Sequence, residues 1–251
     1  MKKITLIILI ALCGIACNDD DDNQATAEGI VNLEFKNSID NNPIALNSTS
    51  YTNQSNENYT ISELKYIISK ITLIKSNGEQ YAYPVEKSYF LINEEVASSK
   101  IVKLAEIPAG EYTRIKFGFG VDQSNYPLNG VANFIPTAEE NDMLWSWSAG
   151  YKFLKFEGSY TPQGGVTADF LLHVGSHGTT LDNYKEITLD LTNTITVGSE
   201  TTSTINITAD IAKIFDSTNT HSLQDKSDIQ VDPVNAPKIA ENVQTMFTAQ
   251  N

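Results

Sequence analysis

Two tryptophans, a methionine and two histidines are the residues of this 251-residue chain whose types and spacing could hold a metal ion. Met143, Trp145 and Trp147 alternate in the stretch MLWSWSAGY, and His173 and His177 follow in LLHVGSHG. In an extended strand, side chains two residues apart project from one face, so the methionine and both tryptophans are expected to share a face. Imidazole nitrogen and thioether sulfur suit copper, and a small set of soft ligands favours Cu(I).

A purely structural role is the alternative for the two tryptophans. Aromatic side chains bury large apolar areas, and a stripe of them usually packs into a core, where each indole N–H finds a carbonyl. The third histidine, His221, lies in the polar run STNTH and is expected at the surface. Motifs of serine hydrolases, zinc proteases and phosphate-binding loops are absent from the sequence, which favours binding over catalysis.

The segments around these candidates are typical of an all-β protein, and we predict an antiparallel β-sandwich of roughly ten strands. Alternating or β-branched patterns mark strands at 29–37, 64–75, 112–121, 143–156, 166–174, 184–191 and 202–212. Strands and helices do not alternate along the chain, which argues against a doubly wound fold. We expect the turn PQGG to join the tryptophan strand to the His173 strand as a hairpin and so to bring them together.

Helical character is expected only at the C-terminus. Pro237 stands near a helix start, and Ile239, Val243, Met246 and Phe247 follow the i, i+4, i+7, i+8 spacing of one helix face. We therefore predict one C-terminal helix that docks this stripe on the sheets.

The first 16 residues resemble the signal peptide of a bacterial lipoprotein. Lys2 and Lys3 precede an apolar run that is too short to span a bilayer as a folded helix. The run ends in GIAC, which resembles a lipobox, so Cys17 is the expected lipidated residue; an ordinary secretory signal cut nearby is the alternative. Cleavage before Cys17 also removes Cys13 and leaves no pair of cysteines for a disulfide.

Residues 17–28 are expected to form an acidic tether behind the lipid. Their four consecutive aspartates repel one another and stay solvated. The run resembles the export signal of surface lipoproteins in Bacteroidota, which points to the outer face of the outer membrane; a plain spacer on the periplasmic side is the alternative. Residues 29–251 are expected to form a single β-sandwich domain.

The chain is strongly acidic, with 31 Asp and Glu against 17 Lys and Arg and a net charge of −14. Loss of Lys2 and Lys3 with the signal peptide makes the charge of the mature chain about −16. Such a surface repels nucleic acid and anionic headgroups, so we expect no nucleic-acid partner and contact with the membrane through the lipid alone.

Several segments resemble the MbnP family of copper-binding proteins. These are MLWSWSAGY with KFLKFEG after it, LLHVGSHG, PAGEYTRIKFGFGVD and the terminal APKIAENVQTMF. The resemblance implies an exported β-rich protein, and in some members histidines and a tryptophan-derived kynurenine hold copper. It also implies a partner dihaem enzyme of the peroxidase type that oxidises the tryptophan. Carried onto this chain, it makes Trp145 or Trp147 the candidate for modification and His173 the best-placed metal ligand, with His177 or Met143 as the second.

The leading hypothesis is a lipid-anchored exported protein that binds copper for metal handling or acquisition, without catalysis. The alternative is a glycan- or protein-binding module of a nutrient-uptake system, which requires Trp145 and Trp147 to be exposed as a stacking platform. A third interpretation is a structural surface domain whose tryptophans lie in the core.

Overall fold

The computed structural model describes residues 27–122, 133–146, 149–178, 180–199 and 201–250. The expected signal peptide, Cys17, most of the acidic tether and Trp147 lie outside these residues. The described chain forms fifteen strands and two α-helices. The strands are β1 (Glu28–Ile39), β2 (Asn42–Pro43), β3 (Ser50–Thr52), β4 (Asn58–Lys75), β5 (Gln80–Ala82), β6 (Tyr89–Asn93), β7 (Ile101–Pro108), β8 (Gly110–Phe119), β9 (Leu144–Ser146), β10 (Gly150–Thr161), β11 (Ala168–Gly175), β12 (Lys185–Val197), β13 (Thr202–Asp210), β14 (Asp228–Ile229) and β15 (Phe247–Gln250). The helices are α1 (Ile135–Glu140) and α2 (Asn235–Gln244).

The strands build two sheets that pack face to face. The smaller sheet has the order β15-β13-β1-β2, with β7 also paired to β1. The larger sheet has the order β12-β8-β4-β10-β11-β14, with β3, β5 and β6 paired to β4 and β9 paired to β10. The predicted all-β sandwich with a C-terminal helix is therefore confirmed. The pairs β1–β13 and β11–β14 are parallel, so the sheets are mixed and not purely antiparallel.

Alternation along the strands places one apolar face of each sheet between the two. In β1, Val31, Leu33 and Phe35 are buried, as their period-two spacing predicts. The Phe35 ring meets Tyr66 of β4 and Phe117 of β8 edge to face, each at 6.3 Å between centroids. Burial of this aromatic layer stabilises the packing of the two sheets. The edge-to-face ring pairs add a further contribution beyond the burial of apolar area.

The C-terminal stripe is buried as expected, but only half of it is helical. Ile239 and Val243 lie on α2, whereas Met246 follows the helix and Phe247 begins β15, which pairs with β13. All four side chains are almost fully buried. In the described residues, neither helix is long and apolar enough to cross a membrane.

The predicted hairpin at PQGG is present, but the long strand predicted at 143–156 is wrong. Gly165 N donates to Pro162 O at 2.9 Å, and β10 and β11 pair antiparallel on either side of this turn. The chain reverses between β9 and β10, so that Gly150 pairs with Ser146. Gly150 has a φ of 102°, a left-handed conformation that glycine adopts without steric cost, and this allows the reversal.

The connection between β8 and β9 contains the short helix α1, which the sequence did not predict. Pro136 stands in its first turn, where the lack of an N–H costs nothing. Ile135 and Ala138 are buried against the core. Helix α1 directly precedes β9 and so helps to position Trp145, which lies on β9.

Candidate metal site

The Trp145 ring is the centre of the candidate site. Its centroid lies 6.0 Å from the ring of His173 and 6.4 Å from the ring of His177. The ammonium of Lys152 lies over the indole, 5.3 Å from the ring centroid, in the range of a cation–π contact. The structure therefore brings together three of the five residues that the sequence singled out as metal ligands, and adds a lysine.

Two backbone features bring the histidines to the tryptophan. His173 lies on β11 directly opposite Lys155 of β10, near the point where β9 folds back on β10. The turn that carries His177 is tied to the β9–β10 turn, because Gly178 N donates to Ala149 O at 3.0 Å. A Cβ atom on Gly175 would lie 2.2 Å from Tyr151 O, so only glycine allows β11 to approach β10 this closely.

His173 is held in one orientation by Glu157. The histidine is 7% exposed, and its Nε2 lies 2.7 Å from Glu157 Oε1. Burial lowers the pKa of His173, against the opposing effect of the Glu157 carboxylate, and the charges of Lys152 and Lys155 lower it further. The imidazole is therefore neutral near pH 7. A carboxylate accepts a hydrogen bond, so we assign the ring proton to Nε2 and the lone pair to Nδ1.

Two nitrogen atoms of the site are buried without partners. His173 Nδ1 and Trp145 Nε1 make no hydrogen bond within the described residues. An unsatisfied buried polar atom costs roughly 1–3 kcal/mol, and such atoms in native structures call for an explanation. A ligand that His173 Nδ1 could bind supplies one.

Three lysines and three carboxylates form an ionic network beside the histidine. Asp142 accepts from Lys152 at 2.9 Å and from Lys155 at 3.0 Å. Lys155 also lies 3.5 Å from Glu157 and 3.2 Å from Glu63. Burial acts to lower the pKa of Lys155, but its carboxylate partners outweigh it and raise the pKa. The network keeps Lys155 charged and holds the carboxylate that orients His173.

Lys65 is the sixth member of the network and pairs with Glu63 at 2.6 Å. Met143 is fully buried in the hydrophobic core, its N–H donating to Ala138 O and its carbonyl accepting from Lys152 N. Trp145 is half-buried, so the face expected to be common to Met143 and Trp145 is divided between the core and the histidine site. Trp147 lies outside the described residues.

His221 is buried, which corrects the expectation of a surface residue. It is 9% exposed, stacks on Phe215 with 6.4 Å between ring centroids, and places Nε2 2.8 Å from Lys226 O. The polar residues before His221 predicted exposure, because the sequence around it does not show that the Phe215 ring covers it. These contacts make His221 a buried structural histidine.

Sequence reasoning missed the residues that support His173, although one signal could have found them. In β10, Lys155 and Glu157 alternate with the buried Leu154 and Phe156, so period two places both on one face. The hairpin register then sets that face against His173. Asp142 and Lys152 had no such signal, because their positions depend on the reversal after β9.

The described donors at the site suit a metal of low coordination number. Among residues that the structure describes, no group of three or more His, Cys, Asp or Glu side chains is placed to hold a metal ion. Within the same described part of the chain, the donors that flank Trp145 are the imidazoles of His173 and His177. Metal-binding histidines usually donate their other N–H to a carboxylate, as His173 does to Glu157, so its free Nδ1 fits a metal ligand.

Fold and site together define a β-sandwich protein with a histidine- and tryptophan-lined site at one end of a β-hairpin. The sequence model of the MbnP family matches residues 28–235. The chain belongs to the MbnP family. The solved structure of MbnP from Methylosinus trichosporium superposes with a TM-score of 0.55 at 13% identity, over 84% of this chain and 87% of that chain, a likeness of fold alone. Comparison with curated proteins gives no significant match.

Proposed function

We propose that this protein is an exported, lipid-anchored copper-binding protein that handles or acquires the metal without catalysing a reaction on it. The observation that carries the proposal is the buried Nδ1 of His173, which has no hydrogen-bond partner among the described residues and lies beside Trp145 and His177. The family resemblance supports copper as the metal.

His173 can bind a metal without first losing a proton, because its imidazole is already neutral near pH 7. A ligating imidazole must be neutral, and burial already holds the pKa of His173 below its ordinary value. Glu157 fixes the tautomer and strengthens the basicity of Nδ1. His177 is the second candidate ligand, and two neutral nitrogen donors suit copper, with Cu(I) favoured by so small a set.

Trp145 or Trp147 is the candidate for oxidation, and the ring of Trp145 lies beside those of His173 and His177. Unmodified indole is a poor metal ligand because its nitrogen carries a proton and no available lone pair. The family resemblance implies oxidation to kynurenine by a dihaem enzyme of the peroxidase type, which would supply a carbonyl and an amine beside His173. This partner and this modification are part of the proposal.

The location is proposed from the N-terminal sequence. Cys17 as the lipidated residue and the acidic run after it support an outer-membrane lipoprotein exposed at the cell surface. The periplasmic face is the alternative location.

Copper titration of the purified domain tests the proposal, with His221 as a matched control. His173 and His221 are comparably buried, and burial lowers the pKa of both. We expect His173→Ala to lose copper binding and His221→Gln to keep it. Absence of binding by the unsubstituted protein, or full binding by His173→Ala, would contradict the proposal.

The glycan- or protein-binding alternative gains nothing from Trp145. A stacking platform needs an open indole face, whereas Trp145 is half-buried, with two imidazoles and an ammonium around its ring. Binding of oligosaccharide with no binding of copper would favour this alternative.

A further inference from the structure

We propose that the groove between strands β6 and β7 is a docking surface for an extended, basic segment of a partner protein. The groove has a volume of about 400 Å³ and lies on one side of the sandwich, between an edge strand of the larger sheet and an edge strand of the smaller one. Its lining includes the side chains of Tyr89, Phe90, Leu91, Val96, Ile101 and Phe134. None of these residues is a candidate metal ligand, so the inference goes beyond the proposed copper binding.

The lining of the groove is largely apolar and partly open to solvent. Ile101 of β7 is 54% exposed and Val96 is 45% exposed, while Phe90 and Leu91 of β6 are half-buried. Exposed apolar side chains that occur singly are ordinary, whereas a contiguous set with a polar rim marks a site of interaction. Entry of a partner's apolar side chains would remove the remaining water from this surface.

Two strand edges give the groove backbone groups that can bind an extended chain. Within the described residues, β6 pairs with β4 alone and β7 pairs with β1 alone. An edge strand presents N–H and C=O groups with which a further strand can pair. In this mode of recognition the backbone bonds supply affinity, and pockets for alternate side chains supply specificity. An extended segment with an apolar side chain at every second position fits both features of the groove.

The carboxylates at the rim of the groove favour a basic partner. Glu95 directly precedes the lining residue Val96, and Glu139 and Glu140 lie at the end of α1, next to the lining residue Asn141. All three carboxylates are exposed, and none of them pairs with a lysine or arginine in the part of the chain that the structure describes. Lys and Arg on the partner would therefore meet opposite charge on both sides of the groove.

The lysines near the groove do not cancel this negative charge. Lys100, between Val96 and β7, pairs with Glu94 at 2.7 Å, and Lys87, just before β6, pairs with Glu106 at 3.1 Å. The same charge argues against a second copy of this chain as the occupant, because the chain carries a net charge of −14 and like-charged surfaces repel. The segment that fits the groove therefore alternates apolar side chains with Lys or Arg.

The groove adjoins the candidate metal site at the end of α1. Asn141 lines the groove, and the next residue, Asp142, accepts from Lys152 and Lys155 in the network beside His173. Strand β9, which carries the tryptophan of the site, begins two residues later. A partner that is seated in the groove is thereby placed next to the metal site without covering it.

Two synthetic peptides and matched variants of the whole chain test the inference. The probe is a fluorescein-labelled peptide of about ten residues, the length of a long strand, that alternates leucine and lysine. Its control alternates leucine and glutamate, and fluorescence anisotropy gives the affinity of each peptide. The double variant Val96→Thr, Ile101→Thr keeps β-branched side chains and makes the groove polar, while Val234→Thr changes an apolar side chain of similar exposure, 61%, beside α2. Glu140→Gln removes a charge from the rim, and Glu111→Gln removes one from an exposed position of β8.

We expect the leucine–lysine peptide to bind the unsubstituted protein, with an affinity that falls as the salt concentration rises, and the leucine–glutamate peptide not to bind. The double variant should bind roughly tenfold more weakly and Glu140→Gln roughly twofold more weakly. Val234→Thr and Glu111→Gln should bind as tightly as the unsubstituted protein. Thermal unfolding shows whether each variant is folded, and Ile101→Thr alone replaces the double variant if that variant is not.

Four results would overturn the inference. They are no binding of the leucine–lysine peptide, equal binding of the two peptides, equal weakening in Val234→Thr and in the double variant, and a dimer of the unsubstituted protein that dissociates in the double variant. Copper titration of the same proteins gives the outcome for the proposed function separately, because the groove contains no candidate metal ligand.

Discussion

Replacement of Glu157 by glutamine should weaken copper binding without unfolding the protein. The Glu157 carboxylate accepts from His173 Nε2 at 2.7 Å and thereby leaves Nδ1 unprotonated. A glutamine amide can accept through its oxygen or, when rotated, donate through its nitrogen. In the second case the imidazole proton moves to Nδ1 and blocks the metal position. The charge-assisted hydrogen bond, worth about 1.5–3 kcal/mol, is lost in either case.

The expected loss of copper affinity is about 10- to 100-fold, the range found when a residue that orients a metal-binding histidine is changed. The assay is a chelator competition at pH 7, beside thermal unfolding of each variant. Glu79→Gln is the matched control, because Glu79 is 59% exposed and pairs with Lys75 on the surface at 2.6 Å. Equal copper affinity of Glu157→Gln and the unsubstituted protein would refute the assignment of His173 Nδ1 as the ligand.

Three further predictions follow from pKa direction and packing. Burial lowers the pKa of His173 in the folded protein, so the His173 imidazole of the unfolded chain takes up a proton at a higher pH than that of the folded chain. The free energy of unfolding should therefore fall as the pH drops from about 6.5, the ordinary pKa of histidine, towards the lower pKa of the folded state. His173→Gln should reduce this dependence of the free energy of unfolding on pH, as measured by chemical unfolding. Glu57 is 2% exposed and accepts from Asn53, Ser222 and the backbone N–H of Leu223, so Glu57→Gln should lower the free energy of unfolding by about 2–3 kcal/mol; an unchanged denaturation midpoint would contradict this. Gly175→Ala should lower Tm and disturb copper binding together, because the new Cβ meets Tyr151 O at 2.2 Å; a normal Tm would show that β11 can move away from β10 without cost.

The fold was largely readable from the sequence because its strands are regular where they are buried. Val31, Leu33 and Phe35 alternate in β1, and the turn at Pro162 is the tip of a hairpin, as expected. The C-terminal stripe was also correct as a set of buried residues. The prediction that Phe247 is helical was wrong, because Phe247 begins a strand that pairs with β13. An apolar side chain can be buried in the core from either a helix or a strand, so the spacing alone did not distinguish them.

The candidate site was only partly readable, because it depends on a chain reversal with a weak local signal. Period two assumed one strand through Met143 and Trp145 into β10, whereas the chain folds back before Gly150. The hairpin was expected to bring the tryptophan strand to His173. The structure brings Trp145 there through β9, a separate strand that lies along β10. The prediction that Trp145 lies near His173 was therefore correct, although the predicted topology lacked the chain reversal between β9 and β10.

The site joins rigid and weakly held segments, which assigns different roles to its residues. Glu157 and His173 lie within β10 and β11, whose ladder continues into β4 and fixes both side chains. Within the described residues, Trp145 lies on a strand of three residues that pairs with β10 alone, and the turn at His177 is held by the bonds from His177 N to Leu181 O and from Gly178 N to Ala149 O. Segments with few such bonds open at lower free energy than sheet interiors. In the proposed function, His173 is therefore the preorganised ligand, and Trp145 and His177 are the parts that an oxidising enzyme or an incoming ion can displace.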